Sequence, residues 1–213
     1  SRASRKNQII SAMPKLYSNL ALFVVSMACA LHVLAGERPN IVLVLADDIG
    51  YSDFGAYGGE IDTPHIDSLA ARGLRFSNFH AASSCAPTRA MLLTGVDNHL
   101  AGIGSMRELM PLSHRGEPGY GGVLNDRVET MATQLQRAGY RTAVAGKWHL
   151  GIEPGNLPPA RGFDHSVIQA DSGSDNFEMR PYLPMYTEVH WFDGEQRLDE
   201  LAADFYSSTF FVD

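Results

Sequence analysis

The sequence predicts an α/β fold in which helices flank a mainly parallel sheet, and three observations carry that reading. Ile41–Ala46 is a continuous apolar run with no polar alternation, the pattern of a strand buried on both faces of a parallel sheet. Amphipathic stretches with helix start and stop signals follow it, and further short apolar runs complete the order β-α-β-α-α-β. The composition agrees: 213 residues, 45% apolar and 19% charged, with 20 Gly and 11 Pro, exclude disordered, collagen-like and multi-span membrane classes. The length suits one domain or part of a larger one.

The N-terminal region reads as an export signal. Lys15 precedes an apolar run from Leu20 to Leu31, and small residues follow at Ala28, Ala30 and Ala35, the charged, apolar, cleavable order of a secretory signal. We place an upstream extension at residues 1–12, the signal at 13–35 with its start at Met13, and the mature region at 36–213. An uncleaved anchor is the alternative, since Leu16–Leu34 approaches the roughly 20 residues needed to span a bilayer, but Asn19, Ser26 and His32 interrupt it. Lipid attachment at Cys29 is disfavoured by the preceding Ser26-Met27-Ala28. The expected location is periplasmic or extracellular, with membrane contact only through the signal segment if it stays uncleaved.

Charge excludes one partner class. The chain carries 17 basic and 24 acidic side chains, and four of the basic ones (Arg2, Arg5, Lys6, Lys15) lie in a leader that has no acid. The rest is therefore more acidic than the net −7, which argues against nucleic-acid binding. Removing the signal at or after Ala30 leaves Cys85 as the one cysteine of an exported chain, a thiol without an intrachain partner in an oxidising compartment. A buried, inert cysteine is one explanation.

The elements follow in order. Thr63-Pro64 supplies an N-cap and a proline at the first helical position, Ile66, Leu69 and Ala70 share a face, and Gly73 stops the helix. Leu74–Phe79 reads as a second strand, and His80–Ser84 as a loop. Cys85-Ala86-Pro87-Thr88-Arg89 opens a helix that runs through Met91, Leu92 and Leu93 to Gly95. Gly102–Asn125 is a Gly/Pro-rich loop, and Glu129–Ala138 is a helix stopped by Gly139. Thr142–Ala145 is a third strand leading into Gly146-Lys147-Trp148-His149. Beyond Pro154 the pattern weakens, with a helical hint only at Asp204–Phe211.

Three constellations hold chemical groups. Asp47-Asp48 lies beyond the carboxyl end of the first predicted strand, where open α/β sheets bind ligands. Two adjacent carboxylates there are costly to desolvate without a cation, and all-oxygen ligands favour Ca²⁺ or Mg²⁺; a solvated turn is the bland reading. Cys85 lies near a helix N-terminus that favours anions, and Arg89 follows one turn later. A cysteine-dependent phosphatase loop does not fit, because only three residues separate Cys85 from Arg89. Nor does a papain-like signature surround the cysteine. In an extended segment Lys147 and His149 project to one side and Trp148 to the other. A phosphate loop at Gly139 and Gly146-Lys147 is rejected, since six residues separate the glycines where that loop has four and Trp148 takes the Ser/Thr place.

Taken together these segments resemble the sulfatase family. Arg38-Pro39-Asn40, Asp47-Asp48 with Gly50-Tyr51-Ser52-Asp53, Thr63-Pro64-His65-Ile66-Asp67, Cys85-Ala86-Pro87-Thr88-Arg89, Leu93-Thr94-Gly95, Gly146-Lys147-Trp148-His149-Leu150-Gly151 and Arg161-Gly162-Phe163-Asp164 occur in the family's order. Gly55–Met106 is most similar to bacterial arylsulfatases. The resemblance implies an alkaline-phosphatase-like α/β fold, hydrolysis of sulfate monoesters of a small molecule or glycan, and conversion of Cys85 to formylglycine (3-oxoalanine) by a maturase.

The resemblance also assigns roles. Asp47, Asp48 and the modified residue 85 would hold Ca²⁺, with Mg²⁺ as the alternative. One oxygen of the hydrated aldehyde at 85 would attack sulfur and expel the alcohol, and the second would allow sulfate to leave by C–O cleavage, which a sulfated serine could not do. Arg89 would orient the diol, Lys147 would bind a sulfate oxygen, and His149 would take the diol's proton. The family pattern further calls for an Asp-Asn pair, a second His and a second Lys, and no segment here matches them. The expectation is thus an N-terminal part of the catalytic domain that is inactive alone. Two rivals remain: a phosphonate or phosphodiester hydrolase of the same superfamily, and an exported anion-binding protein without catalysis.

Overall fold

A computed structural model describes residues 38–212. The predicted signal at 13–35, the extension before it and Cys29 lie outside these residues. The chain divides into two units, residues 1–46 and 47–213.

In the first unit the described residues form no strand, and Ile41, Val42, Leu43, Val44 and Leu45 are all exposed. This corrects the strand expected at Ile41–Ala46. An apolar run has the side chains for a buried strand, but a strand exists only when neighbours take up its backbone hydrogen bonds.

The second unit is organised by a four-stranded sheet in the order β1-β2-β3-β4, with β1 at Ala143–Lys147, β2 at His165–Gln169, β3 at Trp191–Asp193 and β4 at Gln196–Leu198. β1 and β2 are parallel, with Lys147 opposite Gln169, whereas β2–β3 and β3–β4 are antiparallel. The α/β class holds, and the sheet of the described residues is mixed. A two-residue turn at Gly194-Glu195 closes the β3–β4 hairpin, and Gly194 takes the positive φ of 59° that such turns require at their first central position.

Helix α1 spans Pro64–Arg72 with Thr63 at its N-cap, and the Gly73 amide closes it on the Leu69 carbonyl, as the sequence predicts. Its Ile66 and Leu69 are exposed. Leu74–Phe79, expected as a strand, is irregular, with Leu74, Phe76 and Phe79 exposed. Helix α2 is Cys85–Thr94, ended by Gly95 at φ 70°. Helix α3 is Met131–Arg137, shorter than the predicted Glu129–Ala138 because the Thr130 side chain caps it by accepting from the Thr133 amide. The long loop at 102–125 contains only two short 3-10 turns and an Ile103–Tyr120 bridge. The hint at Asp204–Phe211 resolves to one turn, α4, at Ser207–Phe210. Among the described residues no helix is long and apolar enough to cross a membrane.

The main core gathers Ala86 and Ala90 of α2 with Ile103, Leu124, Trp148, Leu150 and Ile168. Trp148 is fully buried, stands edge-on to Phe163 at 5.9 Å and donates to the Asn156 carbonyl. A second cluster of Trp191, Val189 and Phe205 packs at the far end of the sheet.

Candidate active site

The site forms where the N-terminus of α2 meets the carboxyl end of β1. Cys85 is the first residue of α2, preceded by Ser84 in extended conformation, so its side chain sits beside amides that have no intrahelical partner. Its Sγ lies 3.2 Å from Nδ1 of His149 and 3.9 Å from Sδ of Met106. Burial raises the thiol pKa, but the hydrogen bond and charge of His149, with Lys147 beside it, outweigh burial and bring it below the ordinary thiol value.

Arg89, one turn along α2, is 9% exposed. Its Nη1 donates to the Lys147 carbonyl at 2.6 Å and its Nη2 to Asp47 Oδ1 at 3.3 Å. The guanidinium thus braces the end of β1 against the carboxylate. Lys147 Nζ donates to Asp47 Oδ2 at 2.7 Å and to Ser172 Oγ at 2.9 Å. Burial works to raise the Asp47 pKa, and Lys147 and then Arg89 overcome it, so the carboxyl is held below its usual range.

His149 reaches the site by a route that strand alternation does not describe. β1 ends at Lys147, and His149 adopts a left-handed backbone with φ 59°. Its ring is buried between Cys85 on Nδ1 and Glu108 Oε1 on Nε2 at 2.9 Å, and Tyr186 donates its hydroxyl to the same carboxylate oxygen. Burial lowers the His149 pKa, but Cys85 and Glu108 reverse it and leave it raised. For Glu108, burial alone would raise the pKa, and the hydrogen bonds from His149 and Tyr186 instead bring it down to about 2.

Asp48 also has a positive φ, 56°, and is exposed. It lines a polar cavity of about 260 Å³ with Asp47, Lys147, Ser172 and Asn176. Hard carboxylate oxygens suit Ca²⁺ or Mg²⁺ in donor type. Among the described residues, however, no group of three His, Cys, Asp or Glu side chains forms a metal cluster, and both Asp47 oxygens already bind cationic side chains. The donors fit such an ion in kind and not in number.

All six sequence-predicted residues therefore lie around one locus: Asp47, Arg89 and Lys147 in one network, Cys85 and His149 in another, and Asp48 at the adjoining cavity. Arg89 contacts Asp47 and a backbone carbonyl rather than the cysteine. Sequence reasoning missed Glu108, Ser172 and Tyr186. Glu108 lies in a Gly/Pro-rich loop, and the other two follow a strand that weak alternation concealed, so neither had a local signal beyond residue type.

The Sulfatase family model matches residues 39–212. The chain is 42% identical over 185 residues to an arylsulfatase of Klebsiella aerogenes, covering 85% of this chain and 39% of that enzyme. Its fold is similar to the crystal structure of Ps i-CgsB, with a TM-score of 0.66 at 29% identity over 82% of this chain and 39% of the other. It is also similar to BT4656, solved with its substrate D-glucosamine-2-N,6-O-disulfate, with a TM-score of 0.57 at 30% identity over 76% and 28% of the two chains. The chain thus spans 34–39% of the length of the curated relatives that it matches over more than four fifths of its own. With the family model matching almost the entire described chain and a fold similar to that of the solved PsFucS1 sulfatase (TM-score 0.58, 27% identity), the chain belongs to the sulfatase family.

Proposed function

We propose that the full-length protein hydrolyses sulfate monoesters to an alcohol or phenol and inorganic sulfate, and that Cys85 is first oxidised to formylglycine by a maturase. The observation that carries this reading is the position of Cys85 at the first turn of α2, 3.2 Å from His149 Nδ1, with Lys147 beside it. The Sγ of the unmodified cysteine marks the place that an oxygen of the hydrated aldehyde would take.

Asp47, Asp48 and residue 85 would hold the divalent cation, Ca²⁺ or Mg²⁺, which supplies Lewis acidity and favours deprotonation of a nearby hydroxyl. The remaining work falls to side chains of this chain. His149 Nδ1 takes a proton from the hydroxyl at residue 85 while Nε2 stays bonded to Glu108. Lys147 donates to a sulfate oxygen from the end of β1, where Asp47 and Ser172 fix its ammonium. Arg89 holds Asp47 and the Lys147 carbonyl in register.

For the alcohol, a sugar is the class we favour. The relative solved with a sulfated glucosamine supports it, as does a cavity of about 730 Å³ beside His149 lined by Arg115, Glu117, Tyr120 and Tyr186, a mixture of polar and aromatic groups suited to hydroxyls and a ring face. We also propose export to the periplasm or exterior through residues 13–35, checked by the N-terminal sequence of the secreted protein.

The test is turnover of an aryl sulfate and of sugar sulfates by the full-length protein co-expressed with a maturase, with mass spectrometry of the peptide containing residue 85. Formylglycine at that position and loss of turnover in Cys85→Ala are expected. Undiminished turnover in Cys85→Ala, or faster cleavage of an aryl phosphonate, would overturn the proposal.

A further inference from the structure

We infer that Glu108 and Tyr186 are positioning residues that decide which ring nitrogen of His149 faces residue 85. The inference rests on the reading of His149 as the proton acceptor and adds how the ring is held for that task.

The backbone does not set the ring's orientation by strand alternation, because His149 lies past the end of β1 at φ 59°. Its side chain must therefore be fixed by its partners, and each nitrogen has one. Nε2 meets Glu108 Oε1 at 2.9 Å and Nδ1 meets Cys85 Sγ at 3.2 Å. An ionised carboxylate only accepts hydrogen bonds, so Nε2 must carry hydrogen to make that contact. A neutral imidazole has one N–H, and with it committed to Glu108 the lone pair belongs to Nδ1, facing residue 85. The Glu108 side chain is 12% exposed, which removes water as a competing partner for much of its surface.

Tyr186 completes the hold. Its hydroxyl donates to the same Oε1. Glu108 is thereby tied to the segment between β2 and β3. With Oε1 held by both Nε2 and the tyrosine hydroxyl, the carboxylate resists swinging away and letting the ring flip. A glutamine at this place could donate to Nε2 instead, which would move the ring hydrogen to Nδ1 and remove the acceptor facing residue 85.

The experiment uses the full-length, maturase-treated protein with isotope-labelled histidine, comparing wild type with Glu108→Gln, Glu108→Asp and Tyr186→Phe. Ring carbon and nitrogen shifts, measured where the ring is neutral and assigned with His149→Asn, report the tautomer. Wild type is expected in the Nε2–H form and Glu108→Gln displaced toward Nδ1–H. With a sulfate ester, kcat should fall by roughly 10²–10⁴-fold in Glu108→Gln with KM little changed, the range for losing an oriented acid-base group. Glu108→Asp should recover part of that loss, and Tyr186→Phe should lower kcat by about tenfold at unchanged KM. The inference fails if Glu108→Gln keeps the wild-type tautomer, or if the variants change KM or thermal stability and leave kcat intact. Should modified wild-type protein not cleave sulfate esters, the functional reading falls, and the ring shifts still decide the role of Glu108 because they need no turnover.

Discussion

Replacing Arg89 by methionine separates its fork of hydrogen bonds from the apolar packing of its stem. Two bonds are lost. The one to the Lys147 carbonyl, 2.6 Å long from a side chain 9% exposed, leaves an acceptor beside the core without its charged donor and is worth about 1.5–3 kcal/mol. The pair with Asp47, at 3.3 Å on a carboxylate whose side chain is 36% exposed and still bound by Lys147 at 2.7 Å, is discounted for solvent to about 0.5–1 kcal/mol. In the opposite direction, Arg89 Nε is buried with no partner among the described residues, and removing it relieves about 1 kcal/mol of desolvation. The net loss is about 1–3 kcal/mol, which for a domain of this size lowers Tm by roughly 2–12 °C. Arg89→Lys should fall between, since one ammonium meets either the carbonyl or the carboxylate but does not match the guanidinium fork. Thermal and denaturant unfolding of the full-length protein, alongside sulfate-ester turnover, provide the measurement. An unchanged midpoint and unchanged kcat in Arg89→Met would show that the fork does not brace the end of β1.

Thr130→Val removes both the cap of α3 and a bond to the Arg161 carbonyl from a residue that is 1% exposed, so unfolding should show a loss of about 1–3 kcal/mol. Cys85→Ser should accept one sulfuryl group and stall, since a serine ester has no second hydroxyl to expel sulfate; mass spectrometry after a single addition of substrate checks this, and continued turnover would contradict it. Glu108, depressed from 4.5 to about 2, contributes stability above pH 4.5 that is lost as the pH falls toward 2. His149, raised above 6.5, contributes stability below pH 6.5 that is lost as the pH rises through its folded value. The stability difference between wild type and Glu108→Gln should therefore be greatest at about pH 4.5–6.5 and shrink on both sides, as read by denaturant unfolding across that range.

Helix ends were legible because their signals are local. Thr63-Pro64, Gly73, Gly95 and Gly139 mark boundaries that the structure reproduces within a residue or two, each through backbone freedom or a missing donor at that position. Strands were not, because a strand is a relation between two segments. Ile41–Ala46 and Leu74–Phe79 have the right side chains and no pairing among the described residues, whereas β2 (His-Ser-Val-Ile-Gln) looks too polar and is paired on both edges. The β3–β4 hairpin had a readable clue in Gly194-Glu195, but its strands are only three residues each, shorter than any run that hydrophobic periodicity can detect.

The site followed the same division. Residue types named its charged members, yet Asp47 and Lys147 lie 100 positions apart, and only the fold explains why they can share a locus. Arg89 and Lys147 are two cations at the end of one strand, linked through the Lys147 carbonyl, and without an anion their repulsion would oppose the docking of α2 on β1. Asp47 binds both, one on each oxygen. Arg89 and Lys147 thus share a carboxylate partner, so this charged cluster assembles as part of the fold. Glu108 accepts from His149 Nε2 on the oxygen that also accepts from the Tyr186 hydroxyl. That is why Glu108 had to be there although nothing in its neighbourhood of the sequence announced it: its place is dictated by a histidine 41 residues away.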